Sequence, residues 1–197
     1  ASQVAMWNGT SWTNLGSGMN RFGYVYALAH DGTNLYAGGI FTNAGGVNVN
    51  QIALWNGTSW TNLGSGMNPY GTVRTLLCAG GLLYAGGGFT NAGGVTVNRI
   101  AAWNGVTWMN LGSGMDNSQV SALAHEGTDL YAGGSFTTVG GMSANRVAMW
   151  NGSSWTNLGS GMTSFQVSAL AQDGARLYAG GDFTTAGGLP ANRVAMW

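Results

Sequence analysis

Charge is what this chain has least of. Of its 197 residues only 6% are charged, against roughly a quarter in an ordinary soluble domain, and lysine is absent. Six arginines balance six acids, so there is no basic face to neutralise a phosphate backbone, and nucleic acid is not an expected partner. A single cysteine, Cys78, leaves no intramolecular disulfide framework to build on. The longest apolar runs are four to six residues, far short of the ~20 that a spanning helix needs. No membrane span is expected, and no signal segment is recognisable. Helical periodicity is missing too, because 36 glycines are spread along the whole chain. Low charge with abundant Gly, Ser, Thr and Asn is the composition of exported bacterial repeat proteins, so an extracellular or cell-surface location is expected.

What is present is repetition. A unit of 47 or 48 residues recurs as 3–50, 51–98, 99–145 and 146–192, followed by a partial copy, 193–197. The third and fourth copies agree at 31 of 47 positions without a gap, which implies recent duplication or deliberate construction. Repeats of this length share a core by stacking, so the chain reads as one domain over 1–197.

Each period carries four short strand signals. In the first copy they are Val4–Trp7, Thr10–Leu15, Val25–Ala29 and Leu35–Phe41. Asn8-Gly9 between the first two reads as a type I′ hairpin turn, and Asp31-Gly32 joins the last two. A Gly-rich connection, 42–50, leads into the next copy. Apolar side chains alternate onto both sides of such strands, as with Val4 and Met6 against Ala5 and Trp7. A sheet that is oily on both faces must sit between neighbours, and a ring of blades achieves this. Small residues such as Ala27 and Ala29 mark the innermost strand, A. The segment LYAGG is B, (V/I)AxW is C, and WxNL is the outer D, with the large tryptophans where blades splay.

Gly-Gly at a strand end, an aromatic near the end of the next strand and a tryptophan five residues later resemble the kelch repeat. Gly38-Gly39, Trp55 and Trp60 fill those places, as do Gly86-Gly87, Trp103 and Trp108, and Gly133-Gly134, Trp150 and Trp155. WNG stands where kelch has Tyr-Asp, and four repeats are fewer than kelch rings carry. The resemblance implies an all-β propeller of four-stranded antiparallel blades, and a domain that binds other proteins.

Strand C occurs five times, at Val4–Trp7 and again at Val194–Trp197, whereas A, B and D each occur four times. Two outcomes are open. The termini complete one blade and close a four-bladed ring, or the surplus strand pairs with another chain in a larger ring or fibre.

Nothing in the sequence calls for a cofactor or a metal, and no enzymatic constellation is expected. His30 and His125 share one repeat position and would be held apart by symmetry. Asp31, Glu126 and Asp173 stand at the A–B turn, where acidic residues serve the backbone. Arg99, Arg146 and Arg193 recur before strand C, with Gln3 and Gln51 in their place elsewhere, which reads as structural. The segments that differ between copies join D to the next A, on the face shared with the B–C loops. The candidate ligand-binding residues are therefore Arg21, Phe22, Tyr24, Tyr70, Asp116, Asn117 and Phe165. The expected partner is a protein or surface ligand, with carbohydrate as an alternative.

Overall fold

The computed structural model describes residues 3–116 and 118–197, and every regular element in them is a strand. The amino end is a hairpin, β1 (Ala5–Trp7) and β2 (Trp12–Asn14). The first blade holds β3 (Tyr24–His30), β4 (Leu35–Ile40), β7 (Ile52–Trp55) and β8 (Trp60–Thr61), with a side hairpin of β5 (Asn43–Ala44) and β6 (Val47–Asn48). The second holds β9 (Val73–Ala79), β10 (Leu82–Gly87), β13 (Ile100–Trp103) and β14 (Trp108–Asn110), with side hairpin β11 (Asn91–Ala92) and β12 (Val95–Thr96). The third holds β15 (Val120–Glu126), β16 (Asp129–Gly134), β19 (Val147–Trp150) and β20 (Trp155–Asn157), with side hairpin β17 (Thr138–Val139) and β18 (Met142–Ser143). The last holds β21 (Met162–Gln172), β22 (Leu177–Ala186), β23 (Leu189–Pro190) and β24 (Val194–Met196).

Within each of the first three blades the order is A-B-C-D, all antiparallel. The four A strands β3, β9, β15 and β21 pack in succession, each on the next, which places the alanine-rich strand innermost as its small side chains require. The Gly-Gly pair at the end of B has two separate causes. A Cβ on Gly39 would land on the carbonyl oxygen of Tyr24, where β3 bulges against β4. A Cβ on Gly86 would lie 2.6 Å from Val120 Cγ1 of the next blade, and one on Gly133 would lie 2.6 Å from Val167 Cγ1. One glycine thus admits the neighbouring strand of its own sheet, and the other admits the neighbouring blade.

Tryptophans on D lock consecutive blades together. The Trp60 indole N–H donates to Leu15 O at 2.8 Å, Trp108 to Leu63 O at 3.0 Å and Trp155 to Leu111 O at 2.7 Å, all buried. Each also packs against the C-strand tryptophan of its own blade, with ring centroids 5.4–5.5 Å apart. A hydrogen-bonded indole in an apolar slot supplies area burial and fixes the angle between blades together.

Two local readings need correction. The C–D turn is not a two-residue type I′ turn, because Trp7 pairs with Trp12 and four residues lie between them. Gly9 alone takes positive φ (99°). Asn8 instead closes the loop with its side chain, Oδ1 accepting from the Thr10 and Ser11 amides at 2.9 and 2.8 Å. The Gly-rich B–C connection is not featureless either: it folds back as the side hairpin, clasped to the D–A segment by a Met19–Ala44 bridge.

The residue before strand C is in the left-handed region in every copy, with φ between 63° and 74° at Gln3, Gln51, Arg99, Arg146 and Arg193. At the last four of these its amide returns to the phenylalanine two residues past the Gly-Gly pair of B, as Gln51 N does to Phe41 O at 2.9 Å. This is a structural position, as its repetition implies.

Among the described residues, no pairing joins the two ends. The hairpin β1–β2 is a sheet of its own, and β24 takes the C position beside β22, leaving the last blade without a D strand.

Candidate functional site

The D–A segments lie on the face of the B–C loops because one side chain ties them there. Asn20 Oδ1 accepts from the Thr42 and Asn43 amides at 3.1 and 3.3 Å, and Asn68 Oδ1 from Thr90 and Asn91 at 2.8 and 3.1 Å. Asp116 occupies the same position in the third blade. Its Oδ2 accepts from the Thr137 and Thr138 amides at 2.9 and 3.1 Å and from the Thr137 hydroxyl at 2.7 Å. Burial alone would raise this carboxyl, but these donors and the Ser118 amide outweigh it and hold it below its ordinary value. Asp116 therefore anchors its loop.

Two residues beyond this position of the repeat a side chain faces outward, from a loop in the first three blades and from within β21 in the last. Phe22, Tyr70 and Phe165 fill that place in the first, second and fourth blades, and all three are exposed, Tyr70 to 98%. Ser118 takes it in the third, and its neighbour Asn117 lies outside the described residues. Arg21 lies over the Phe22 ring at 5.6 Å. Tyr24, also exposed, stacks on Tyr26 at 6.3 Å, and the Arg74 guanidinium covers Tyr26 at 4.6 Å. The candidate residues thus gather as a cluster on the first blade and single aromatics further along, each on its own blade.

The turn holding Tyr70 is unusual. Asn68-Pro69-Tyr70-Gly71 is closed by Gly71 N donating to Asn68 O at 3.0 Å, and Tyr70 has φ 64°. A type II turn asks for Gly or Asn at this third position, and an L-residue held there carries about 1–3 kcal/mol of strain. A bulky aromatic is therefore displayed from a conformation that disfavours it, in full contact with water. The sequence signal was the variability of the segment; the left-handed φ was invisible in it.

The opposite face is occupied differently. Asp31 Oδ1 accepts from the Thr33 and Asn34 amides at 2.8 and 2.7 Å, and its Oδ2 from the Tyr36 hydroxyl at 2.8 Å. Asp173 repeats this with Arg176 N at 3.0 Å and the Tyr178 hydroxyl at 2.9 Å. A cleft of about 670 Å³ between the first two blades on this side is lined by Asp31, Tyr36 and Cys78. Burial, and then the nearby Asp31 charge, push the Cys78 thiol up to about 11, so it stays protonated at neutral pH and is a poor nucleophile. Among the described residues no three His, Cys, Asp or Glu side chains come together.

No protein-family model matches this chain, and no curated protein matches it. Solved structures do. It is similar to the computationally designed Ika4 protein over 94% of this chain and 97% of that one, with a TM-score of 0.60 and 16% identity. It is similar to the computationally designed Ika8 protein over 88% of this chain and 45% of that one, with a TM-score of 0.58 and 16% identity. These two neighbours are computationally designed propeller-like proteins, and at 16% identity the likeness is one of fold.

Proposed function

We propose that this chain is a non-enzymatic propeller scaffold that binds a protein or surface-borne partner through the face made by its D–A and B–C loops. The observation that carries the reading is Tyr70, fully exposed on a left-handed turn, with Phe22 and Phe165 displayed from the same place in other blades. Strain retained in a loop, where relaxing it requires only a glycine, is what a recognition surface leaves behind. Aromatic side chains on a rigid frame supply contact area at little entropic cost. The kelch-like spacing of Gly-Gly and the two tryptophans agrees with a binding role. The acids of the other face serve their own turns, and Cys78 is protonated, which speaks against acid-base or thiol chemistry there.

A displayed peptide library and a glycan array separate the two partner classes. A ligand selected from either should lose at least tenfold in affinity for the variant carrying Phe22→Ser, Tyr70→Ser and Phe165→Ser, with melting unchanged because all three side chains are exposed. Full-strength binding by that variant would remove this face from consideration. Failure of both libraries to yield a ligand would argue against the binding role itself.

A further inference from the structure

The two ends of the chain are the two halves of one blade interface. The joint between blades occurs with all its parts twice inside the molecule, between the first and second blades and between the second and third, and in part at either end. A valine of each A strand, Val73, Val120 or Val167, is fully buried on the first Gly of the preceding B strand, Gly38, Gly86 or Gly133. A leucine beside it is covered, and a D-strand indole reaches the carbonyl after the preceding D strand. At the amino end these knobs lose cover. Val25 is only partly buried, packed against the core of its own blade, where Val73 is fully buried, Leu28 is 51% exposed where Leu76 is 8%, and Trp12 is 69% exposed where Trp60 is 2%.

At the carboxyl end every socket is open. A Cβ on Gly180 would meet nothing closer than 3.9 Å. Gly187 has no neighbour within 4 Å of its Cβ position, whereas the corresponding Gly45 and Gly93 face Trp60 and Trp108 at 2.7 and 2.5 Å. Beside Gly187 lies an apolar cleft of about 230 Å³ lined also by Leu158, Ala195 and Trp197. It stands where Trp60, Trp108 and Trp155 stand in complete blades.

We infer that a second copy of this chain fills that cleft: the β1–β2 hairpin of one copy completes the last blade of the other, and two such joints close a ring of two chains. Val25 then seats on Gly180, and the Trp12 indole donates to Leu158 O. Each chain contributes three whole blades and two parts of shared ones, which makes four blades per chain. Propellers have typically about four to eight blades, so a closed ring contains one chain or two. Among the described residues of the single chain no strand pairing joins the ends, and Val25 does not reach the Gly180 Cβ position, so the ring of two is the one inferred. A head-to-tail contact of this kind is finite when its rotation closes. The shared blade has room for one C strand. The hairpin enters whole, because Trp7 and Trp12 already pack at 5.6 Å. Val194–Trp197 is therefore the copy that leaves, since Trp197 holds the place beside Gly159 that Trp7 would take.

Light scattering coupled to size exclusion tests this. The chain should have twice the 20.2 kDa of one copy. Trp12→Ala should return it to the single-copy mass, and so should Gly180→Ala, whose added Cβ has space in the lone chain and collides with Val25 in the joint, as one on Gly38 or Gly86 would with Val73 or Val120. Both variants should keep the far-ultraviolet spectrum of the parent. Deleting residues 193–197 should leave the pair intact or tighter. A parent chain of single-copy mass at every concentration, or one that grows into polymers, would overturn the inference. So would variants that remain paired, or a deletion that separates the pair.

Discussion

Asp31 carries two hydrogen-bond roles on one carboxylate, and its titration should be visible in stability. Burial would raise its carboxyl, yet the Asn34 and Thr33 amides, the Asn34 side chain and the Tyr36 hydroxyl together hold it well below the usual carboxylate range. A depressed folded value contributes stability above the unfolded value of about 3.9 and loses it as pH falls toward the folded one. Tyr36 is the mirror case. Burial first, then its bond to Asp31 and the charge of that carboxylate, push its hydroxyl up to about 12. The contribution is complete below the unfolded tyrosine value of about 10 and disappears as pH rises from there to the folded value. Asp31→Asn should therefore flatten the acid limb of stability against pH and move the onset of tyrosinate formation at Tyr36 downward. Urea midpoints across both limbs, with an ultraviolet tyrosine titration, measure it. An unchanged onset would mean that the Asp31–Tyr36 bond contributes nothing.

At the scale of the element, the same tryptophan has two fates according to whether a blade precedes it. Trp108 is buried and donates at 3.0 Å to Leu63 O. Trp108→Phe removes that donor and part of a ring, and should cost about 1–3 kcal/mol. In the isolated chain Trp12→Phe removes an exposed ring and should cost under about 0.5 kcal/mol. Chemical denaturation of the two variants, at a dilution where chains are separate, gives the contrast; equal losses would mean that the indole bond is not what joins blades. That D strands carry the indoles, that A is innermost and that each period holds four strands was legible in the sequence, because alternation and residue size respond to burial directly. The side hairpin of Asn43–Ala44 and Val47–Asn48 was not legible, since its two-residue strands are too short to carry a pattern and its Gly-Gly turn reads as plain loop. The Asn-Gly turn was misread for a related reason: Asn8 bonds the backbone through its side chain rather than by adopting positive φ. Among the candidate residues, Phe22, Tyr70 and Phe165 were singled out by variability between copies, and all three are exposed. The anchoring role of Asp116 was hidden because its equivalents are Asn20 and Asn68, and only the hydrogen bonds to the side hairpin reveal what the three have in common.

For the whole molecule, the duplicated C strand decides between an array with loose ends and a closed object, and sequence could not choose because both copies fit one slot. The physical difference lies in where chain continuity is broken. In the chain as it stands the break falls inside a blade, so joining two copies restores a four-stranded sheet and buries an indole. A permuted chain separates these effects: residues 20–192 followed by 3–19 would contain four covalently whole blades, with residues 1–2 and the surplus 193–197 omitted and every other side chain retained. Its end faces offer Val25 and Gly180, and the Trp60 indole meets Leu15 O, which now lies at the far end of the chain, across the joint. One indole is therefore buried on joining in either chain, on the order of 150–250 Å², worth about 4–6 kcal/mol as an upper bound at 25 cal/mol per Å². Only the parent must also release β24 from β22. The permuted chain should therefore associate at least as tightly as the parent, and sedimentation over a dilution series would measure the ratio. The thermal midpoints of both should rise with concentration, because mass action acts on a fold that includes its partner. Weaker association of the permuted chain would mean that the shared strands, rather than the indole and the inner valine, hold the joint.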